Sequence, residues 1–422
     1  MKRLLILVLA SLVMLVACTF GSSVAAQGKT TVTFWHAMGA QLGKTLDSLV
    51  AEFNAQHPDI VVKAEYQGNY GALSQKLVGA LVARKPPTMA QVYGNWVPEY
   101  ISGKEVVPIE KFVRGSNGMS QLEIDDIWEG LRAACTFDGV WYTMPFNKSV
   151  YVLVYNKTAF QQAGIASPPA TWQEFLTAAD KLTVREGDKI TRYGVGLRPF
   201  IDMFACFYFN AGGEWMDAAG KVAVAGPAGV RSLQFMVDLL NKYKVAYYIP
   251  GYLDADFGAG KVAMYFTSSP GLSYTDAAVA GKFEWGAAPL PYLEPRYRST
   301  PVAGTDLAIF ARASQREQEA AWEFIKWLVE PRQTAKWAIG TSYIPVRKSA
   351  VHLDMMREFF QQNPRNEESL KQLRHIKYDP NIAAWNNIRN DISEAVEKAF
   401  LGKATPQEAL DAAVMKANAR LK

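Results

Sequence analysis

The chain has 422 residues, 49% of them apolar and 20% charged. That length exceeds one ordinary hydrophobic core, so two domains are expected, and the composition excludes a disordered chain. The formal net charge of +5 comes without a Lys/Arg run, which excludes a nucleic-acid footprint.

The first segment reads as an export leader over residues 1–26. Lys2 and Arg3 precede an apolar stretch at 4–16 that is too short to span a membrane. Two endings compete. Leu15-Val16-Ala17-Cys18 has the form of a lipobox, which would lipidate Cys18. Val24-Ala25-Ala26 has the form of an ordinary cleavage site. The lipobox is preferred, because a Cys directly after an apolar run is otherwise uncommon. No later stretch is long and apolar enough to cross a bilayer.

Strands and helices then alternate. Residues 31–35 read as a strand. Leu42, Leu46, Leu49, Val50 and Phe53 mark one face of a helix. Ile60, Val62, Ala64 and Tyr66 alternate as in a strand. Gly68-Asn69-Tyr70 turns into a helix carrying Leu73, Leu77, Val78 and Leu81. Pro86-Pro87 stops it before a strand at 89–93. This rhythm implies a parallel sheet covered by helices, with ligands at the C-terminal strand ends. Tyr70 and Tyr93-Gly94-Asn95-Trp96 fall in such loops.

Further on, Pro145-Phe146-Asn147 precedes an apolar strand at 151–155. Thr171/Glu174, Ser314/Glu317 and Thr405/Glu408 are capping boxes, the last with Pro406 at the first helical position. Gly258-Ala259-Gly260-Lys261 resembles the end of a phosphate loop. Ala255 and Val262 break that pattern, so it reads as a turn before a strand. Cys135 and Cys206 are open to pairing or to remaining free, since sequence does not fix connectivity.

Catalytic signatures are missing. The four histidines, His36, His57, His352 and His375, have no metal-ligand spacing, and no nucleophile elbow occurs. No metal, cofactor or enzymatic activity is expected.

Arg389 is the most informative single residue. Residues 381–402 read as a helix with Ile382, Trp385, Ile392, Val396 and Phe400 on one stripe. Arg389 falls near the middle of that stripe and Lys398 opposite it. An inward guanidinium requires an anion of good geometry. On the residues alone, an internal Asp or Glu is the preferred partner. A ligand carboxylate or phosphate is the alternative.

The order of motifs resembles the extracytoplasmic substrate-binding proteins of ABC importers, in the group that includes maltose-binding protein. Within it the chain is most similar to the sn-glycerol-3-phosphate-binding branch. The likeness is carried by Thr33-Phe34-Trp35-His36, Gln67-Gly68-Asn69-Tyr70, Pro145-Phe146-Asn147 with Tyr155-Asn156-Lys157, Ser342-Tyr343-Ile344-Pro345 and Thr405-Pro406-Gln407-Glu408-Ala409-Leu410. It covers essentially the whole mature chain.

The resemblance implies an α/β, two-lobed periplasmic-binding-protein fold of type II with a cleft between hinged lobes. Residues 28–147 with 305–341 would form one lobe, and 148–304 with 342–422 the other. It implies ligand contacts from Tyr70, Gly94, Ser149, Trp172, Ser268, Gly304, Tyr343 and Arg389, the last holding a phosphate. It implies an extracytoplasmic monomer, periplasmic or lipid-anchored, that serves permease subunits and a cytoplasmic ATPase.

The branch has an acidic residue where this chain has Gly94. Asn95 or Asp306 are candidate replacements, and Lys148 is either a second cation or a solvated lysine. The segment 197–209 also departs from the branch. The expected ligand is glycerol 3-phosphate or a glycerophosphodiester. The alternative is a neutral mono- or oligosaccharide.

Overall fold

The computed structural model describes residues 28–421. The leader calls, including Cys18 and the site after Ala26, lie outside the described residues. The strand Thr30–His36 buries Val32, Phe34 and His36 on one face. It pairs in parallel with Ile60–Tyr66 and with Met89–Val92. Between them, Ala40–Gln56 buries Leu46, Leu49, Val50 and Phe53. Tyr70–Val82 buries Leu73 and Leu77, but Val78, expected beside them, points to solvent.

The main sheet runs in the order Ile60–Tyr66, Thr30–His36, Met89–Val92, Thr300–Ile309, Met144–Asn156, Val262–Ser268, Lys189–Leu197, Val184–Glu186. Two long strands carry it from one half to the other. Met144–Asn156 pairs with Thr300–Ile309 through residues 144–150 and with Val262–Ser268 through 151–155. Its Met144 and Phe146 belong to a first core, built from Val32 through Trp141 with Leu307 through Val346. Its Tyr151 and Leu153 belong to a second core, built from Ala159 through Leu290 with Trp385 through Ala417. Each half therefore has its own apolar interior, and the two long strands run between them.

The long strand begins seven residues before the expected 151–155 stretch and includes Pro145. A proline lacks the N–H that a ladder needs, and is tolerated where the ladder is irregular. Here the register of the pair shifts between Thr305 and Asp306, opposite Asn147 and Pro145. Tyr343 and Val346, which follow the expected 305–341 segment, pack in the first core. The pairing of Cys135 with Cys206 is not found. Both are free and buried, one in each core.

All three capping boxes form, each with reciprocal side-chain and backbone bonds. The helix expected over 381–402 spans Trp385–Phe400. Its start is delayed because Asn381 turns aside and donates to the Thr136 carbonyl at 2.8 Å. The segment 197–209 folds into the helix Ile201–Tyr208, buried in the second core. No helix among the described residues is long and apolar enough to cross a membrane.

Candidate ligand-binding cleft

A cleft of about 650 Å³ opens between the halves. The first half supplies Tyr70 and the turn Tyr93 to Trp96. Asn69 caps the helix Tyr70–Val82 by accepting from the Ala72 N–H at 3.0 Å, which sets Tyr70 at the cleft edge. Tyr93 follows the strand Met89–Val92 and meets Tyr70 and Trp96 edge-on, at centroid distances of 4.9 and 5.3 Å. The second half supplies Phe200 and Asp202 at the start of Ile201–Tyr208. It also supplies Tyr378 and Asp379, and Asn386, Arg389 and Asn390 from Trp385–Phe400.

Side-chain hydrogen bonds span the gap. Asn95 donates to Asn386 at 3.4 Å, and Asn381 reaches Thr136.

Arg389 does face inward and does line the cleft. Its guanidinium is already engaged on two sides, by Asp202 at 2.5 Å and Asp379 at 2.6 Å. Burial opposes its charge, but the two carboxylates outweigh that and hold its pKa above the ordinary value. Tyr151 donates to the other Asp202 oxygen at 3.3 Å.

Lys148 is neither a free second cation nor a solvated lysine. It is 3% exposed and pairs with fully buried Asp306 at 2.6 Å. Burial pulls against its charge, yet Asp306 keeps its pKa raised. The lining thus holds two cations, Arg389 and Lys148, and two carboxylates, Asp202 and Asp379, while a third carboxylate, Asp306, is fully buried against Lys148.

The other expected contacts are distributed unevenly. Tyr70, Gly94 and Gly304 line the cleft with Arg389. Gly304 has φ +92°, and a Cβ there would lie 1.9 Å from the Asn147 carbonyl oxygen, so the position requires glycine. Tyr343 stands one layer back, its hydroxyl 3.2 Å from that of Tyr70. Ser149 is buried opposite Ala303 in the crossing pair, and half-buried Ser268 ends its strand opposite Tyr151. Neither lines the cleft. Trp172 packs in the second core, stacked on Phe235 at 4.8 Å.

Sequence reasoning missed Phe200, Asp202, Tyr378, Asp379, Asn386 and Asn390. Asn386 was within reach, since it precedes Arg389 by three residues and so shares its helix face. Nothing local marks Asp202. Among the described residues no group of His, Cys, Asp and Glu converges on a metal position.

Two cores joined by crossing strands, with a polar cleft between, define a type II periplasmic-binding-protein fold. The family of bacterial extracellular solute-binding proteins matches residues 48–368, and the chain belongs to it. It is the extracytoplasmic solute-binding component of an ABC importer and not an enzyme.

Among its relatives is the sn-glycerol-3-phosphate-binding periplasmic protein UgpB of Yersinia pseudotuberculosis, 28% identical over 96% of each chain. UgpB of Mycobacterium tuberculosis, solved with glycerophosphocholine, superposes with a TM-score of 0.82 at 24% identity, over 93% of this chain and 99% of that one. The cyclic alpha-maltosyl-1,6-maltose binding protein of Arthrobacter globiformis gives 0.79 at 25% identity, over 94% and 100%.

Proposed function

We propose that the cleft captures a small hydroxyl-rich solute of low net charge, a neutral mono- or oligosaccharide, and presents it to the permease as a loaded monomer. The observation that carries this reading is Arg389 held by both Asp202 and Asp379. A phosphate at Arg389 would meet two carboxylates for one guanidinium. Each like-charge contact at about 4 Å costs about 4 kcal/mol at a protein's effective dielectric, so one repulsion is left uncompensated. A hydroxyl pays no such cost. It donates to a carboxylate and accepts from Arg or an amide. Asn95, Asn386 and Asn390 supply the amides, and Tyr93, Trp96, Phe200 and Tyr378 supply faces for sugar rings.

A second reading is a glycerophosphodiester. It is favoured by the 28% identity to a glycerol-3-phosphate-binding protein and by the presence of Arg389 in the cleft. A diester carries one negative charge where the monoester approaches two, so it fits this cleft better than glycerol 3-phosphate does.

Calorimetry with maltose, tagatose, glycerol 3-phosphate and glycerophosphocholine, each at low and high salt, separates the readings. Salt-insensitive sugar binding supports the first. Phosphate-dependent binding that weakens with salt and is lost in Arg389→Ala decides for the second.

A further inference from the structure

Arg198 is a cation without a counter-ion. It directly follows the strand Lys189–Leu197, and Tyr252 comes shortly after the strand Ala246–Tyr248. Those two strands pair in parallel, and Val262–Ser268 also pairs in parallel with the first. Arg198 and Tyr252 therefore sit at the carboxyl ends of parallel strands, where α/β folds receive ligands. Phe200, just beyond Arg198, lines the cleft itself.

The guanidinium lies between two rings. Its central carbon is 4.5 Å from the Phe200 centroid and 4.5 Å from that of Tyr252. Such stacking fixes the charge in place without neutralising it. Burial raises the pKa of the cleft-lining Tyr93, and Tyr252 is among the neighbours that add to the rise, so the stack stands beside the cleft.

No acid closes on Arg198. The next carboxylate along the chain, Asp202, gives one oxygen to Arg389 and the other to the Tyr151 hydroxyl. Among the described residues Arg198 makes no ion pair and no side-chain hydrogen bond. Its Nε is buried without a partner, whereas its terminal nitrogens are neither buried nor bonded. With both faces covered, what remains open is the edge of the fork. A carboxylate or a phosphodiester meets that edge with two parallel hydrogen bonds.

We propose that Arg198, and not Arg389, receives one oxyanion group of the ligand, a carboxylate or a phosphodiester, at the edge of the cleft. Arg389 has its fork committed to Asp202 and Asp379, and Arg198 has its own free. The proposal goes beyond the reading of a hydroxyl-rich guest and rests on it only in placing that guest in this cleft. The cleft holds the hydroxylated body, and Arg198 selects a single anionic substituent. A uronate and a glycerophosphodiester share this chemistry, and the test has an arm for each.

Two measurements test it. The first needs no ligand: crystals of wild type and of Arg198→Gln are soaked in selenate, which is located by its anomalous signal. Wild type is expected to hold selenate within hydrogen-bonding distance of the Arg198 terminal nitrogens, and Arg198→Gln to lack it. Selenate on Arg389, or none on Arg198, overturns the proposal.

The second is calorimetry of wild type, Arg198→Gln and Arg198→Lys with glucuronate, glycerophosphocholine and, as neutral controls, glucose and maltose. Affinity for an anionic probe should fall about tenfold or more in Arg198→Gln, and less in Arg198→Lys, which keeps the charge but not the fork. Affinity for the neutral sugars should be unchanged. An equal loss for the neutral sugars makes Arg198 a packing residue and overturns the proposal. So does an anionic probe held equally well by Arg198→Gln, because any selenate seen there is then an adventitious ion only. Should wild type bind none of the four probes, the reading of the ligand fails, and the selenate soak alone decides for or against Arg198.

Discussion

Tyr70 and Tyr343, separated by 273 residues of sequence, share a hydrogen bond 3.2 Å long between their hydroxyls. Asn147 donates to the Tyr70 hydroxyl at 3.0 Å, and its own Oδ1 accepts from Gln91 at 3.0 Å and from Thr305. One side chain on the crossing strand thus ties a helix start, a sheet strand and the second crossing strand together. Asn147→Ala leaves these donors without an acceptor, and is expected to cost about 3 kcal/mol. Tyr343→Phe removes a single bond and should cost about 1 kcal/mol. Urea denaturation checks the order, and equal costs would contradict this account of the network.

Arg389 balances two carboxylates, so its removal should be felt even without ligand. Arg389→Met leaves Asp202 and Asp379 facing each other. About 3 kcal/mol of stability should be lost, as when one partner of a partly buried pair is removed. In an Asp202→Asn/Asp379→Asn background the same change should cost much less. Chemical denaturation of the four proteins measures the difference. An unchanged cost would mean that the carboxylates are not what Arg389 stabilises.

His36 gives a pH dependence with a definite sign. It is 2% exposed, and its Nδ1 accepts from the Met38 N–H at 3.2 Å. Burial pushes its pKa from 6.5 down to about 4. The native state therefore binds fewer protons than the unfolded state between those values. The stabilisation is fully present above pH 6.5 and is lost as pH falls toward 4, by about 3 kcal/mol in all. His36→Gln should flatten that part of the stability profile. A variant profile parallel to wild type would rule His36 out as the titrating group.

Trp172 offers a test of position. Its ring lies among Phe207, Phe235 and the second core. Trp172→Phe should lower stability by about 1 kcal/mol, through lost packing, and leave ligand affinity as it was. A tenfold loss of affinity at wild-type stability would place the indole in the cleft.

Local signals were legible where the cause is local. The strand at Thr30–His36, the stripe on Ala40–Gln56 and the three capping boxes follow from spacing that neighbours can read. The inward direction of Arg389 was legible for the same reason. Its partners were not all so accessible. Asp379 is 10 residues away, but Asp202 is 187 away, and nothing in either segment announces the other. The burial of Lys148 was hidden too, because a charge reads as solvated until its counter-ion is placed, and Asp306 arrives on another strand. Pro145 misled in the opposite direction. It reads as a strand boundary, and only the register shift of the partner strand lets it sit inside one.

The second core opens with Tyr151 and closes with helices that include Trp385 and Ala417. In a chain made N-terminus first, the early part of that half is therefore synthesised long before the helices that cover it. Until they arrive, that half exposes apolar surface, and only their docking seals it from self-association.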